Sequence, residues 1–404
     1  MSDAGLLKED TRLAPPSRIC VRCVMDTTDP FIAFRADGTC NHCNDFLAIK
    51  ARYEPGPALD AERDALVARI KEAGKGKPYD CIVGVSGGFD STYVAYVAKD
   101  LGLRPLAVHL DNGWNSELAV MNIENVLAKL DIELDTHVLD WSTFRRLQVS
   151  FLRASVPDAE FPTDHAIRAA IWRAAQRHGV KYVLNGRNHT TEGILPWSWT
   201  YSALDWRYIR AVHRRFSGTS LHLYPHLNLF TILRGAVVSR VRNIGILDYV
   251  NFNKKQASDV LLHKLSWRDY GGKHYESIYT RFFQSYILPK KFNIDKRKAH
   301  LSVLICTGQI TRAQAIETLR EPPAAPDMIK EDREFALQKL ELSGAEFDDI
   351  MRQPVRSYRD YPNNSWVFLM HGNPRMMRLA GALRSVGVLP KGFADNVLAK
   401  KPST

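Results

Sequence analysis

The hexapeptide Ser86-Gly-Gly-Phe-Asp-Ser91 constrains this chain more than any other stretch, because of what flanks it. Before it runs the short apolar segment Asp80-Cys-Ile-Val-Gly-Val85, and after it a helix-forming segment from Ser91 to Leu101 that Gly102 closes. Two glycines at a strand-to-helix junction let the backbone turn tightly, so that its N–H groups converge on one point. The helix that follows adds its positive N-terminal end. The pattern predicts an anion cradle. Gly87, Gly88 and Phe89 are its candidate backbone donors, and Ser86 and Ser91 its candidate hydroxyl donors. Asp90 is the candidate for holding Mg2+ or orienting the loop. No Lys follows the second glycine, so this is not the Walker A arrangement. The plainer alternative is a glycine-rich turn without a ligand.

Around this loop, short apolar runs alternate with helical periodicity. Strands are expected at 80–85, 105–110, 134–139 and 181–184, and helices at 59–73, 91–101, 117–130, 141–154 and 164–178. Such alternation predicts an α/β fold with a parallel sheet covered on both faces. Ligands of such sheets bind beyond the carboxyl ends of the strands. After about residue 195 the pattern blurs, but 270–320, 327–342 and 374–386 read as helical.

Of six cysteines, four form two pairs, Cys20/Cys23 and Cys40/Cys43, with 16 residues between the pairs. That spacing suits a tetrahedral structural Zn2+ better than a disulfide framework. His42 reads as a bystander, and Cys81 and Cys306 as core cysteines. The net charge of +11 is concentrated: 18 Lys and Arg against 5 Asp and Glu lie between Arg207 and His300. A basic region of this kind suits phosphate-bearing ligands, or is a solvated face. Residues 1–17 read as a disordered leader without signal-peptide pattern, and no apolar run reaches membrane-spanning length, so a cytoplasmic protein is expected.

The hexapeptide resembles the SGGxDS signature of PP-loop ATP pyrophosphatases. That resemblance implies a loop that grips the β,γ-pyrophosphate of ATP while attack occurs at the α-phosphorus. It also implies adenine near the end of the second strand, here His109 and Asp111, and a nucleotide-facing turn at Asn185-Gly-Arg-Asn-His189. There Gly186, Asn188 and His189 are candidate ATP contacts, and Arg187 and Glu192 candidate substrate contacts, each with a solvated-loop alternative.

With the paired cysteines added, the chain resembles the N-acetyl sugar amidotransferase family of lipopolysaccharide O-antigen biosynthesis. The resemblance runs from Cys20 to about Trp366, through Cys20-Val-Arg-Cys-Val-Met-Asp-Thr-Thr-Asp-Pro30, Phe161-Pro-Thr-Asp-His165, Trp267-Arg-Asp-Tyr-Gly-Gly-Lys-His-Tyr-Glu276 and Lys296-Arg-Lys-Ala-His-Leu-Ser302. It implies conversion of an acetamido group on a UDP-linked sugar to an acetamidino group, with ATP, Mg2+ and structural Zn2+. Lys273 and His274 are then candidates for catalytic help, and Lys296 and Arg297 for the substrate diphosphate. No glutaminase nucleophile is evident, so a separate glutaminase subunit, with a channel subunit as in related systems, is expected to supply ammonia. Neither nucleic acid nor a membrane is an expected partner.

The expected layout is a leader at 1–17, a zinc knuckle at 18–50, a PP-loop ATP-binding domain at 59–200, and a mostly helical basic substrate or partner region at 201–404. The rival readings are a PP-loop tRNA-modifying enzyme of thiolation or lysidine type, and a non-catalytic nucleotide-binding scaffold.

Overall fold

The computed structural model describes residues 18–234, 240–272 and 275–365. The leader, Lys273, His274 and the expected helix at 374–386 lie outside the described residues.

Five strands form one sheet: β1 (Cys81–Gly84), β2 (Pro105–Asp111), β3 (Leu134–Val138), β4 (Tyr182–Asn185) and β5 (Arg242–Gly245). Their order is β3-β2-β1-β4-β5, and every pairing is parallel. The first four sit where the apolar runs place them. The fifth was not expected, because Arg-Asn-Ile-Gly has neither an apolar run nor alternation; its backbone pairing with β4 makes it a strand.

The pleat splits the central strands between two cores. Ile82, Leu106, Val108 and Leu110 face one side, while Cys81, Val83 and Ala107 face the other. Helix α1 (Asn41–Arg52) belongs to the N-terminal module, and the second side of the sheet is covered by α2 (Pro57–Gly74), α3 (Phe89–Asp100) and α4 (Glu117–Leu130). The first side is covered by α5 (Trp141–Arg153) and α6 (Phe161–Arg177), together with the C-terminal helices. Polar caps set where helices begin: Ser116 accepts from the Ala119 N–H, and Asp140 from the Thr143 N–H at 2.8 Å. Gly102, at φ +68°, lets the chain leave α3 in a left-handed turn.

The C-terminal segment is helical over 278–292, then at Lys296–Cys306, Arg312–Arg320, Pro326–Leu340 and Gly344–Arg352. It clasps the N-terminal module. Lys298, buried, pairs with Asp26 at 2.6 Å, Ser302 Oγ accepts from the Val24 N–H, and Arg312 donates to the carbonyls of Cys20 and Cys23. Among the described residues, no helix is long and apolar enough to cross a membrane.

Candidate active site

In the order β3-β2-β1-β4-β5, the chain leaves β1 and β4 toward opposite flanks of the sheet. A crevice therefore opens between their carboxyl ends, which is where such sheets bind ligands. The hexapeptide follows β1 and the Asn185–His189 turn follows β4, so the fold brings these two sequence-predicted segments together.

The loop after β1 is braced before any ligand arrives. Gly87 adopts φ +79°, and Gly88 caps α3. Ser91 Oγ lies 3.1 Å from Ser86 Oγ, accepts from the Ser86 N–H and donates to the Gly88 carbonyl at 3.0 Å. The Gly87 carbonyl accepts from both Trp267 Nε1 and Tyr270 Oη at 2.9 Å. Both donors come from a segment about 180 residues downstream, which Asn122 ties to α4 through the backbone of Arg268. Phe89 turns its ring edge-on to Trp267, 5.8 Å between centroids, so its side chain packs on the downstream segment. Asp90 lies in the first turn of α3. Glu276 also reaches the loop: a Cβ added at Gly88 would sit 2.7 Å from its Oε1.

At the end of β2, His109 is committed to the fold. Its Nδ1 is 2.8 Å from the Val85 carbonyl, which can only accept, so Nδ1 carries the proton and Nε2 accepts from Asn115 Nδ2 at 3.0 Å. Asp111 closes a turn by accepting from the Gly113 N–H at 2.8 Å. His109 and Asp111 line a cleft of about 370 Å³ with Asn115, Val120, Ile123 and Thr136. It has mixed apolar and polar walls and is large enough for a heterocycle.

After β4, Gly186 packs on the hexapeptide: an added Cβ would lie 3.0 Å from the backbone carbon of Asp90 and 3.2 Å from the Ser91 N. Its bareness therefore permits loop-on-loop contact at a position that is also a candidate ATP contact. Asn188 is buried and spent inside the turn, accepting from the Thr191 N–H and donating to the Gly186 carbonyl. Arg187 is exposed. His189 donates its backbone N–H to Asp248 Oδ1 at 2.7 Å, holds its Nδ1 2.9 Å from the same oxygen, and stacks on Tyr53. Glu192 ends the short helix His189–Glu192 that Asn188 caps.

The basic candidates divide. Lys296 faces Glu160 at 3.5 Å. Arg297 is consumed by both oxygens of Asp295 and the carbonyls of Thr318 and Glu321, so its guanidinium is structural rather than open to a diphosphate. The sequence by itself assigns no role to Trp267, Tyr270, Asp248 or Tyr53. Trp267 and Tyr270 stand in a segment that carries the family resemblance, while nothing local marks Asp248 or Tyr53.

The four paired cysteines converge. All are fully buried, with Sγ···Sγ distances of 3.7 Å (Cys23–Cys40 and Cys40–Cys43) and 3.8 Å (Cys20–Cys43). A tetrahedron of sulfurs at a Zn–S distance of about 2.3 Å has edges of about 3.8 Å, so the set fits Zn2+. The N–H groups of Cys23, Met25 and Cys40 point at the sulfurs, as thiolates require. His42 instead bonds Asp29 at 2.7 Å. Burial pushes the Cys81 thiol up, and Cys306 lies 3.8 Å from Cys43 Sγ.

Two family models match the chain. Residues 80–174 match the one described as queuosine biosynthesis protein QueC, and residues 276–372 the one described as LPS biosynthesis protein WbpG-like, C-terminal domain. No curated protein matches it. Among solved structures, NMN synthetase from Francisella tularensis is 13% identical at a TM-score of 0.27, covering 50% of this chain and 85% of its own. The NH3-dependent NAD synthetase from Campylobacter jejuni subsp. jejuni NCTC 11168, in complex with the nitrate ion, is 13% identical at a TM-score of 0.29, covering 74% and 97%.

Proposed function

We propose that this chain, a PP-loop α/β protein with a WbpG-like C-terminal segment, is an ATP-dependent amidotransferase acting on a nucleotide-linked acetamido sugar. The observation that carries the reading is the braced Ser86–Ser91 cradle at the switch point of a parallel sheet. An amide carbonyl is a weak electrophile with a poor leaving group. Attack of its oxygen on the α-phosphorus of ATP forms the P–O bond of an O-adenylyl imidate and breaks the bond to pyrophosphate. Ammonia then adds to the activated carbon, and AMP leaves with the C–O electron pair, giving an acetamidino group.

The chain's own contribution is placement and charge. The N–H groups of Gly87 and of the first turn of α3 meet the pyrophosphate, where negative charge builds, while those of Ser86 and Gly88 stay on Ser91 Oγ and Ser86 Oγ and hold the loop in shape. The cleft beside His109, Asp111 and Thr136 holds the adenosine. Asp90 and Glu276 supply hard oxygen donors of the kind that hold Mg2+, which when bound would neutralise pyrophosphate charge. The four-cysteine site holds Zn2+ structurally. Ammonia comes from a separate glutaminase subunit, and the chain works in lipopolysaccharide O-antigen assembly in the cytoplasm.

A tRNA-modifying reading is disfavoured, since sulfur transfer wants an open thiol. Four cysteines are consumed in one buried cluster, Cys81 is buried in β1, and Cys306 lies against Cys43. The test is mass spectrometry of UDP-diacetamido sugars incubated with ATP, Mg2+ and an ammonium salt. Exchange of one amide oxygen for NH with release of AMP and pyrophosphate is expected; ADP and orthophosphate in their place would overturn the proposal.

A further inference from the structure

The turn after β4 carries a histidine whose protonation geometry is dictated by its neighbours. Asp248, largely buried after β5, receives both the backbone N–H of His189 at 2.7 Å and its Nδ1 at 2.9 Å on one oxygen, Oδ1. A carboxylate oxygen can only accept, so Nδ1 carries the ring proton and Nε2 is left as the basic nitrogen. Among the described residues, no protein group bonds Nε2. The ring cannot swing away, because Tyr53 stacks on it at 5.4 Å and 18°, and Tyr249 buttresses Tyr53 edge-on at 5.6 Å.

The four-cysteine module supplies that clamp. The helix Asn41–Arg52 starts between Cys40 and Cys43, runs past the buried Phe46 and ends at Tyr53. Phe46 fills the space a side chain at Gly193 would need, at 2.6 Å. One helix thus pins both ends of the segment 189–193. The same turn packs on the cradle through Gly186, within about van der Waals distance of Asp90. A histidine fixed in this tautomer and backed by a buried carboxylate is the arrangement that accepts a proton and stabilises the imidazolium formed.

We propose that His189 is the proton acceptor in the ammonia step, with Asp248 and Tyr53 as its positioning residues, an assignment that rests on the amidotransferase reading. Ammonia adds to the carbon of the protonated O-adenylyl imidate, whose C=N electron pair moves to the sugar nitrogen. The new ammonium group gives one proton to His189 Nε2. The C–O bond then breaks with its electron pair going to AMP, and an amidinium remains. The imidazolium sits opposite the Asp248 carboxylate until it releases its proton to solvent. No oxidant or further reactant enters.

Two measurements test this with the full chain. The first compares His189→Ala with the unaltered protein in two assays: exchange of labelled pyrophosphate into ATP, driven by a UDP-diacetamido sugar without ammonia, and ammonium-dependent formation of AMP. The substitution should slow the ammonia step by about 10²- to 10⁴-fold more than the exchange, and added imidazole should restore it. Equal losses in both assays, or no rescue, would overturn the assignment, because His189 would then only bind nucleotide. The second is ¹⁵N NMR of histidine-labelled protein, with the His189 signals identified by their loss in His189→Ala. The Nδ1–H form is expected, with Asp248→Ala mixing the tautomers; an Nε2–H form in the unaltered protein overturns the proposal whatever the reaction. Should the unaltered chain give no exchange at all, the amidotransferase reading fails first and the step falls with it.

Discussion

Replacing Gly87 by Ala puts a Cβ at the most crowded point of the cradle. The position has φ +79°, where a side chain costs about 1–2 kcal/mol. The Cβ would also lie 2.6 Å from the Ala119 carbonyl oxygen and 3.0 Å from the Tyr270 hydroxyl, both inside ordinary contact. Relief means moving the loop or the start of α4, a strain of about 1–3 kcal/mol in a packed region. Movement of the loop also stretches the bonds from Trp267 and Tyr270 to the Gly87 carbonyl. The expected loss is about 2–5 kcal/mol, a large part of the roughly 5–15 kcal/mol that holds a domain together. Gly76 is the matched control: it has φ +75° and nothing within 4 Å of a built Cβ, so Gly76→Ala bears the backbone cost alone, about 1–2 kcal/mol. Urea unfolding followed by tryptophan fluorescence, with and without ATP, compares the two. Gly87→Ala should unfold at markedly lower urea and lose the shift that ATP gives, while Gly76→Ala keeps that shift. Equal losses in both variants would refute the claim that the downstream segment braces the loop.

The purified chain should carry one zinc by metal analysis, and Cys40→Ser should lose it together with thermal stability; a metal-free, equally stable native protein would exclude the structural site. Arg297→Gln should lower the melting temperature while leaving the KM for the sugar nucleotide in place, since the guanidinium serves Asp295 and two carbonyls; a raised KM without loss of stability contradicts that assignment. Burial pushes the Asp158 carboxyl up to about 7, against the Tyr208 hydroxyl, which donates to it. The folded state therefore holds a proton that the unfolded chain releases near pH 4, and this contribution is full below that pH and lost as pH rises through about 7. Relative to the unaltered chain, Asp158→Asn should gain stability between pH 5 and pH 8 in urea titrations; a constant difference across that range would show that Asp158 does not titrate there.

What the sequence determines here is what neighbouring residues decide among themselves. Glycines between an apolar run and a helix predict an anion turn, cysteines three positions apart predict paired ligands, and apolar alternation places β1 to β4 within a residue or two. These follow from backbone sterics and short-range hydrogen bonding, which any window of a few residues carries. Tertiary structure decides the contacts that need the chain to return. Arg-Asn-Ile-Gly becomes β5 only because β4 offers it an open edge. The Gly87 carbonyl finds Trp267 and Tyr270, His189 finds Asp248, and the cysteine helix delivers Tyr53 onto that histidine. Arg297 shows both levels: Asp295, two residues before it, takes one edge of the guanidinium locally, and the returning chain closes the carbonyls of Thr318 and Glu321 on the other. A local pattern states what a residue is able to bond. Only the packed chain states which partner reaches it first, because a buried charge or donor must be satisfied by whatever the fold places beside it.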